Sequence, residues 1–237
     1  MKIKKNKGYL IKIIALILIL VIEICIITTQ VYLYGLSNKV VEAEVVHFTN
    51  SSLAELDIYN NKNEIIDYAS LKYYIKVNIK SQNVMIYAMD ENNNYNVLIK
   101  SMICSTGKDT PQNGVFYTTD KYEWRELCGK VYGQYATRIT GPILFHSVPY
   151  QNKSKDSLEY WEYDKLGEPA SLGCVRLTVE DAKWIYDYCK SGTAVEFYNC
   201  EVNETVNIKT PIKISEFDEE LRNWDPTDPD ETNPWNN

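Results

Sequence analysis

The sequence predicts a mainly β domain with a few helices, carried behind a single N-terminal membrane-spanning helix, and three stretches support that expectation. Residues Ile13 to Ile27 are apolar apart from Glu23 and follow a basic cap of Lys2, Lys4, Lys5, Lys7 and Lys12. From Tyr73 the period becomes two. Tyr73, Ile75, Val77 and Ile79 alternate with Tyr74, Lys76, Asn78 and Lys80, as a half-buried strand requires. After Cys174 the period turns helical, with Val179, Ala182, Ile185, Tyr186 and Cys189 on one face.

Extended from Gly8 to Tyr34, the apolar run can cross about 30 Å of hydrocarbon, with Tyr9, Tyr32 and Tyr34 near the interfaces. Its basic flank predicts a cytoplasmic N-terminus and an exterior chain thereafter. Glu23 is costly at bilayer depth unless it is paired or protonated. No small-x-small cleavage site follows closely, so residues 1–35 are expected to form an uncleaved anchor rather than a signal peptide. Residues 36–70 are polar and read as a stalk, with His47 an unemployed exposed residue.

A folded domain is expected over 71–200. Val84 to Met89 and Tyr95 to Cys104 read as a second and third strand around the turn Asp90 to Asn94, which argues for an antiparallel sheet. Ser105 to Phe116 contains two Gly/Pro turns. Tyr117 to Gly141 is aromatic and polar, and Ile143 to Phe145 delivers His146 at a strand end. Thr178 caps the helix with Asp181 three residues on, Gly192 is its natural stop, and Ala194 to Tyr198 closes the domain as a strand.

Residues 201–237 form a C-terminal extension. From Glu216 it sets eight acids against Arg222 and carries Pro226, Pro229 and Pro234, so a solvated, disordered tail is expected. The whole chain has a net charge of −7, which that tail alone supplies. The remainder is near neutral, and no basic patch points to nucleic acid.

Six cysteines are present, Cys25, Cys104, Cys128, Cys174, Cys189 and Cys200, with no Cys-x-x-Cys pair and only two histidines. That set does not make an ordinary zinc site. Cys104, Cys128, Cys189 and Cys200 read as small buried hydrophobes, with a disulfide among them left open. Cys174 differs, because it sits in Ser171-Leu172-Gly173-Cys174-Val175-Arg176 behind His146-Ser147. A thiol becomes a nucleophile as thiolate and needs a base. His146 is the one histidine with strand-like flanks. Gly173 lets backbone approach an acyl carbonyl, so amides at Gly173 and Cys174 are candidate oxyanion donors. Ser147 is placed to orient the imidazole through its carbonyl or hydroxyl. Arg176 reads as a ligand for a substrate carboxylate or as a structural ion pair, and Ser171 as a turn residue or a substrate hydrogen-bonder.

These residues resemble the L,D-transpeptidase catalytic domain, also called YkuD-type, whose motif joins His-Gly or His-Ser to Ser/Thr-His-Gly-Cys-x-Arg/Asn. Leu172 occupies the place of the family's second histidine, and the loop Val148 to Ala170 is longer than is usual. Ser105-Thr106-Gly107 and Thr110-Pro111 resemble turns that precede a strand in the same family. The resemblance covers Leu71 to Asn199 and implies a YkuD-type β-sandwich. It implies that Cys174 attacks a peptidoglycan stem tetrapeptide, releasing D-alanine and forming a thioester. The side-chain amine of a second stem then resolves the thioester into a three-to-three cross-link, without metal or cofactor. It also implies acylation by carbapenems. With the anchor, the domain would sit outside the cell membrane, facing the wall. Water as acceptor would make an L,D-carboxypeptidase, and a protein amine a wall-anchoring enzyme. An inactive wall-binding module is the reading from a different class.

Overall fold

Alternating sequence becomes two sheets in the computed structural model, which describes residues 67–200, 208 and 210–236. The basic cap, the expected anchor and nearly all of the expected stalk lie outside the described residues. Among the described residues no helix is long and apolar enough to cross a membrane.

The first sheet contains β1 (Tyr73–Asn78), β2 (Asn83–Met89), β3 (Tyr95–Ile103), β4 (Gly114–Tyr117) and β9 (Ala194–Tyr198), in the order β3-β2-β1-β9-β4. β1, β2 and β3 are antiparallel neighbours as expected, while β9 joins β1 in parallel. The second sheet, ordered β5-β6-β7-β8, comprises β5 (Lys121–Glu126), β6 (Tyr132–Thr140), β7 (Ile143–Ser147) and β8 (Val175–Leu177). One apolar cluster draws Ile75, Val77 and Ile86 from the first sheet and Ile139, Phe145 and Val175 from the second, so the core lies between them.

The helical period after Cys174 yields α2 (Val179–Tyr188), which follows the short α1 (Tyr160–Tyr163) in chain order. The Thr178 hydroxyl accepts the Asp181 N–H at its start. Val179, Ala182, Trp184 and Ile185 are buried, and Cys189 ends the helix in extended backbone. Gly192 serves the following turn instead, at φ +87°.

Composition misassigned three features. Asp67 to Ser70, placed in the stalk, belongs to the domain: Tyr68 packs edge-on to Trp184, and its carbonyl accepts the Tyr73 hydroxyl at 2.7 Å. Cys104 and Cys189 are buried as expected, but Cys128 and Cys200 are exposed, and all five described cysteines are free thiols. The acidic tail is folded. It contains α3 (Glu219–Arg222) and a 3-10 turn at Pro234–Asn236, with Asp225, Asp228 and Asn233 almost wholly buried.

Those acids are acceptors with designated donors rather than solvated charges. Asp225 Oδ2 accepts the Val179 N–H at 3.0 Å, one of the unpaired amides at the start of α2. Lys155 contacts Asp228 at 3.2 Å and Asp230 at 2.8 Å. Asn233 ties the carbonyls of Asp225 and Asp228, and the Trp235 indole donates to the Leu221 carbonyl at 2.8 Å. Ile214 completes a second apolar cluster with Val148, Tyr150, Leu158 and Tyr163, under the long 148–170 loop.

Candidate active site

The parallel pair β7–β8 sets the geometry: Phe145 faces Val175, His146 faces Arg176 and Ser147 faces Leu177. Strand side chains alternate, and Phe145 and Val175 both enter the inter-sheet core. His146 and Arg176 therefore share the opposite face. Cys174 immediately precedes β8, and the Leu144 N–H bonds to its thiol.

The imidazole is held in one tautomer. His146 Nδ1 lies 2.5 Å from the Ser147 carbonyl oxygen, which can only accept, so Nδ1 carries the proton and Nε2 keeps its lone pair. Burial pushes the His146 pKa down to about 4; the Ser147 bond opposes this, and the Arg176 charge adds to it. The ring is neutral at physiological pH. The Ser147 hydroxyl is engaged elsewhere, donating to the Val148 carbonyl and accepting the Gln134 N–H, each at 2.9 Å. Orientation thus comes from its carbonyl.

Gly133 of β6, which the sequence did not single out, supplies room for the ring. A Cβ there would stand 2.9 Å from Nδ1 and 3.0 Å from Cγ of His146. Its only trace in the sequence is a glycine inside a strand, a sign of close approach. The alternation that would have exposed β6 is broken at Tyr135, which has φ +50°.

Cys174 is partly buried, and its Sγ points 3.5 Å from the Pro142 carbonyl oxygen. Burial raises the thiol pKa, and the Leu144 N–H with the Arg176 and Arg138 charges pulls it back. Arg138 stands opposite Leu144 in the β6–β7 register, on the far side of β7 from Cys174. It is braced by Asp120 at 3.0 Å and by the Tyr122 hydroxyl at 3.1 Å.

The turn before Cys174 rests in the segment that the sequence shows only as turns. Gly107 approaches so closely that a Cβ on it would lie 2.0 Å from the Ser171 carbonyl oxygen, and one on Gly173 would meet Ile143 Cδ1 at 2.8 Å. The Thr110 hydroxyl donates to the Gly173 carbonyl at 2.7 Å. N–H and C=O of a trans peptide point in opposite directions, so the Cys174 N–H is aimed away from Thr110.

Ser171 and Arg176 each have a partner within the chain. Ser171 Oγ donates to the Cys174 carbonyl at 2.6 Å, inside the turn. The Arg176 guanidinium pairs with Glu162 of α1, and both side chains are mostly buried. Of the two readings of Arg176, the ion pair is what the fold displays. Leu172, at the place of the family's second histidine, is 54% exposed. Among the described residues, no His, Cys, Asp and Glu side chains cluster in a way that would hold a metal ion.

Residues 72–197, which contain this whole constellation, match the family model of the L,D-transpeptidase catalytic domain, YkuD; the chain belongs to that family. YciB of Bacillus subtilis (strain 168), provisionally named an L,D-transpeptidase, is 35% identical over 136 residues, covering 56% of this chain and 69% of its own. L,D-transpeptidase 2 of Mycobacterium tuberculosis (strain CDC 1551 / Oshkosh) is 29% identical over 119 residues, 43% of this chain and 26% of that one. A solved L,D-transpeptidase from Mycobacterium smegmatis is 20% identical with a TM-score of 0.43, covering 54% of this chain and 58% of that one.

Proposed function

We propose that the chain is a cysteine-dependent peptidoglycan L,D-transpeptidase in which Cys174 is the nucleophile and His146 its general base. The observation that supports this reading is the β7–β8 pairing, which sets His146, a neutral imidazole with Nε2 unprotonated, opposite Arg176, two residues after Cys174. A raised thiol and a lowered imidazole favour a neutral resting pair, so the proton leaves sulfur for Nε2 as attack begins. Sγ bonds to the carbonyl carbon linking the stem's third residue to D-alanine. The tetrahedral oxyanion is met by the Cys174 N–H, and the imidazolium returns its proton to the departing D-alanine amine. The side-chain amine of a second stem then attacks the thioester, giving the three-to-three cross-link and free thiol.

The N-terminal apolar run would hold this domain at the outer face of the membrane, beside the wall. Intact mass spectrometry of the full chain in detergent, after incubation with disaccharide-tetrapeptide and separately with a carbapenem, tests the reading. A carbapenem adduct absent from Cys174→Ala, together with cross-linked dimer and released D-alanine, is expected. Tripeptide without dimer would make it a carboxypeptidase, and neither adduct nor product would make it a binding module.

A further inference from the structure

We infer that Asp228, in the C-terminal tail, is a positioning residue for His146 and acts through Gln134. The inference rests on the reading of His146 as base. Gln134 reaches in both directions. Its backbone N–H donates to Ser147 Oγ at 2.9 Å, and its side-chain Nε2 donates to Asp228 Oδ2 at 3.2 Å. Ser147 in turn holds His146 Nδ1, and Gly133, the residue before Gln134, forms the wall against the imidazole. Fixing Gln134 therefore fixes two surfaces that the ring touches.

On its β7 side this stretch of β6 lacks regular strand pairing. The β6–β7 register is recorded only from Thr137 onward toward Thr140, and Tyr135 turns the backbone through φ +50°. Beyond Tyr135, residues 132–134 pair with β5 on one edge, Trp124 opposite Gln134 and Arg125 opposite Gly133, and on the β7 side are held by the paired Tyr132 and Tyr150 backbone bonds, at 2.8 and 2.7 Å, by Ser147 and by Asp228. Asp228 is well anchored for the task. Its side chain is fully buried, and its other oxygen accepts from Lys155 Nζ at 3.2 Å and from the Asp230 N–H at 3.0 Å. Gln134 is equally buried, at 1% exposure, so its amide has no water to replace a lost partner.

The test uses the full chain in detergent, with Asp228→Ala, Gln134→Ala, Asp228→Asn and, as a control elsewhere in the tail, Thr232→Ala. Carbapenem acylation of Cys174 is followed by mass spectrometry well below each variant's melting temperature. The chain has only two histidines, so ¹⁵N-histidine NMR reads the imidazole directly, with His146→Gln assigning its resonances. Asp228→Ala and Gln134→Ala are expected to slow acylation roughly 10-fold or more and to weaken or broaden the hydrogen-bonded Nδ1–H signal. Asp228→Asn restores both, because the Gln134 amide can flip to meet it, and Thr232→Ala leaves both unchanged. Gln134→Ala cuts the link without touching the tail's own contacts, which keeps the test open if Asp228→Ala does not fold. An unaltered acylation rate, or a slowed rate with an unaltered Nδ1–H signal, overturns the inference. A His146→Gln protein acylated at the native rate overturns the base reading itself, and is seen independently of Asp228.

Discussion

The strand pair β7–β8 and the C-terminal tail both bear on the same imidazole, and they do so by opposite physics. The strand pair places His146 opposite Arg176, two residues after Cys174, by register, through backbone bonds any sequence of suitable alternation can form. The tail reaches the same region by individual side chains, Asp225 on the α2 amide and Asp228 on Gln134, each matched to one partner. Geometry set by backbone periodicity survives most substitutions. Geometry set by single buried carboxylates does not, because each loss leaves a desolvated donor.

The largest effects should come from the strand pair's own chemistry. Cys174→Ala abolishes the carbapenem adduct, and His146→Gln slows acylation by about 10²–10⁴-fold, the usual worth of a general base. A native rate in the second variant would remove the assigned role. Gly133→Ala comes next. The backbone there is not in the left-handed region, so the fold should persist while the new methyl displaces the ring; a rate about 10²-fold lower with a modestly lowered melting temperature is expected.

Stability against pH separates the two regions by sign. His146 titrates near 4 when folded and near 6.5 when unfolded, so the unfolded chain takes up the proton first and stability falls as pH drops through that window, by about 3 kcal/mol. Burial raises Asp225 to about 7, against the pull of its Thr227 and Val179 bonds, so the folded chain keeps the proton and stability falls as pH rises from about 4 to 7. The slopes oppose each other. Denaturation of the native protein should vary little across pH 4–7, His146→Gln should lose stability with rising pH, and Asp225→Asn should gain it. Parallel profiles in all three would contradict the assignment. The smallest effect is expected from Arg138→Ala, whose charge acts on Cys174 at a distance: acylation slowed about twofold to fivefold with the thiol pKa raised.

How much of this was legible follows from the same contrast. Period two in Tyr73 to Lys80 and the helical face after Thr178 announced themselves, because burial repeats along the chain. His146, Cys174 and Gly173 were legible through residue chemistry and motif order. β6 was not, since the left-handed backbone at Tyr135 interrupts its alternation and hid Gly133, Gln134 and Arg138. The tail was misread because its acids resemble solvated charge until Val179, Gln134 and Lys155 are brought to them from 46 to 94 residues away. Arg176 was ambiguous for the same reason, its partner Glu162 lying in the one-turn α1, too short to show a period.

The central claim is that Cys174 and His146 rest as a neutral pair and that the imidazole draws the proton only during attack. Its most direct measurement is the pH dependence of Cys174 alkylation by iodoacetamide, read at the peptide level so that exposed Cys128 and Cys200 are counted separately. A thiol titrating above the ordinary cysteine range, with little reaction near pH 6, is the predicted result. A reactive plateau extending down to about pH 5 would show a resting thiolate–imidazolium pair and contradict it.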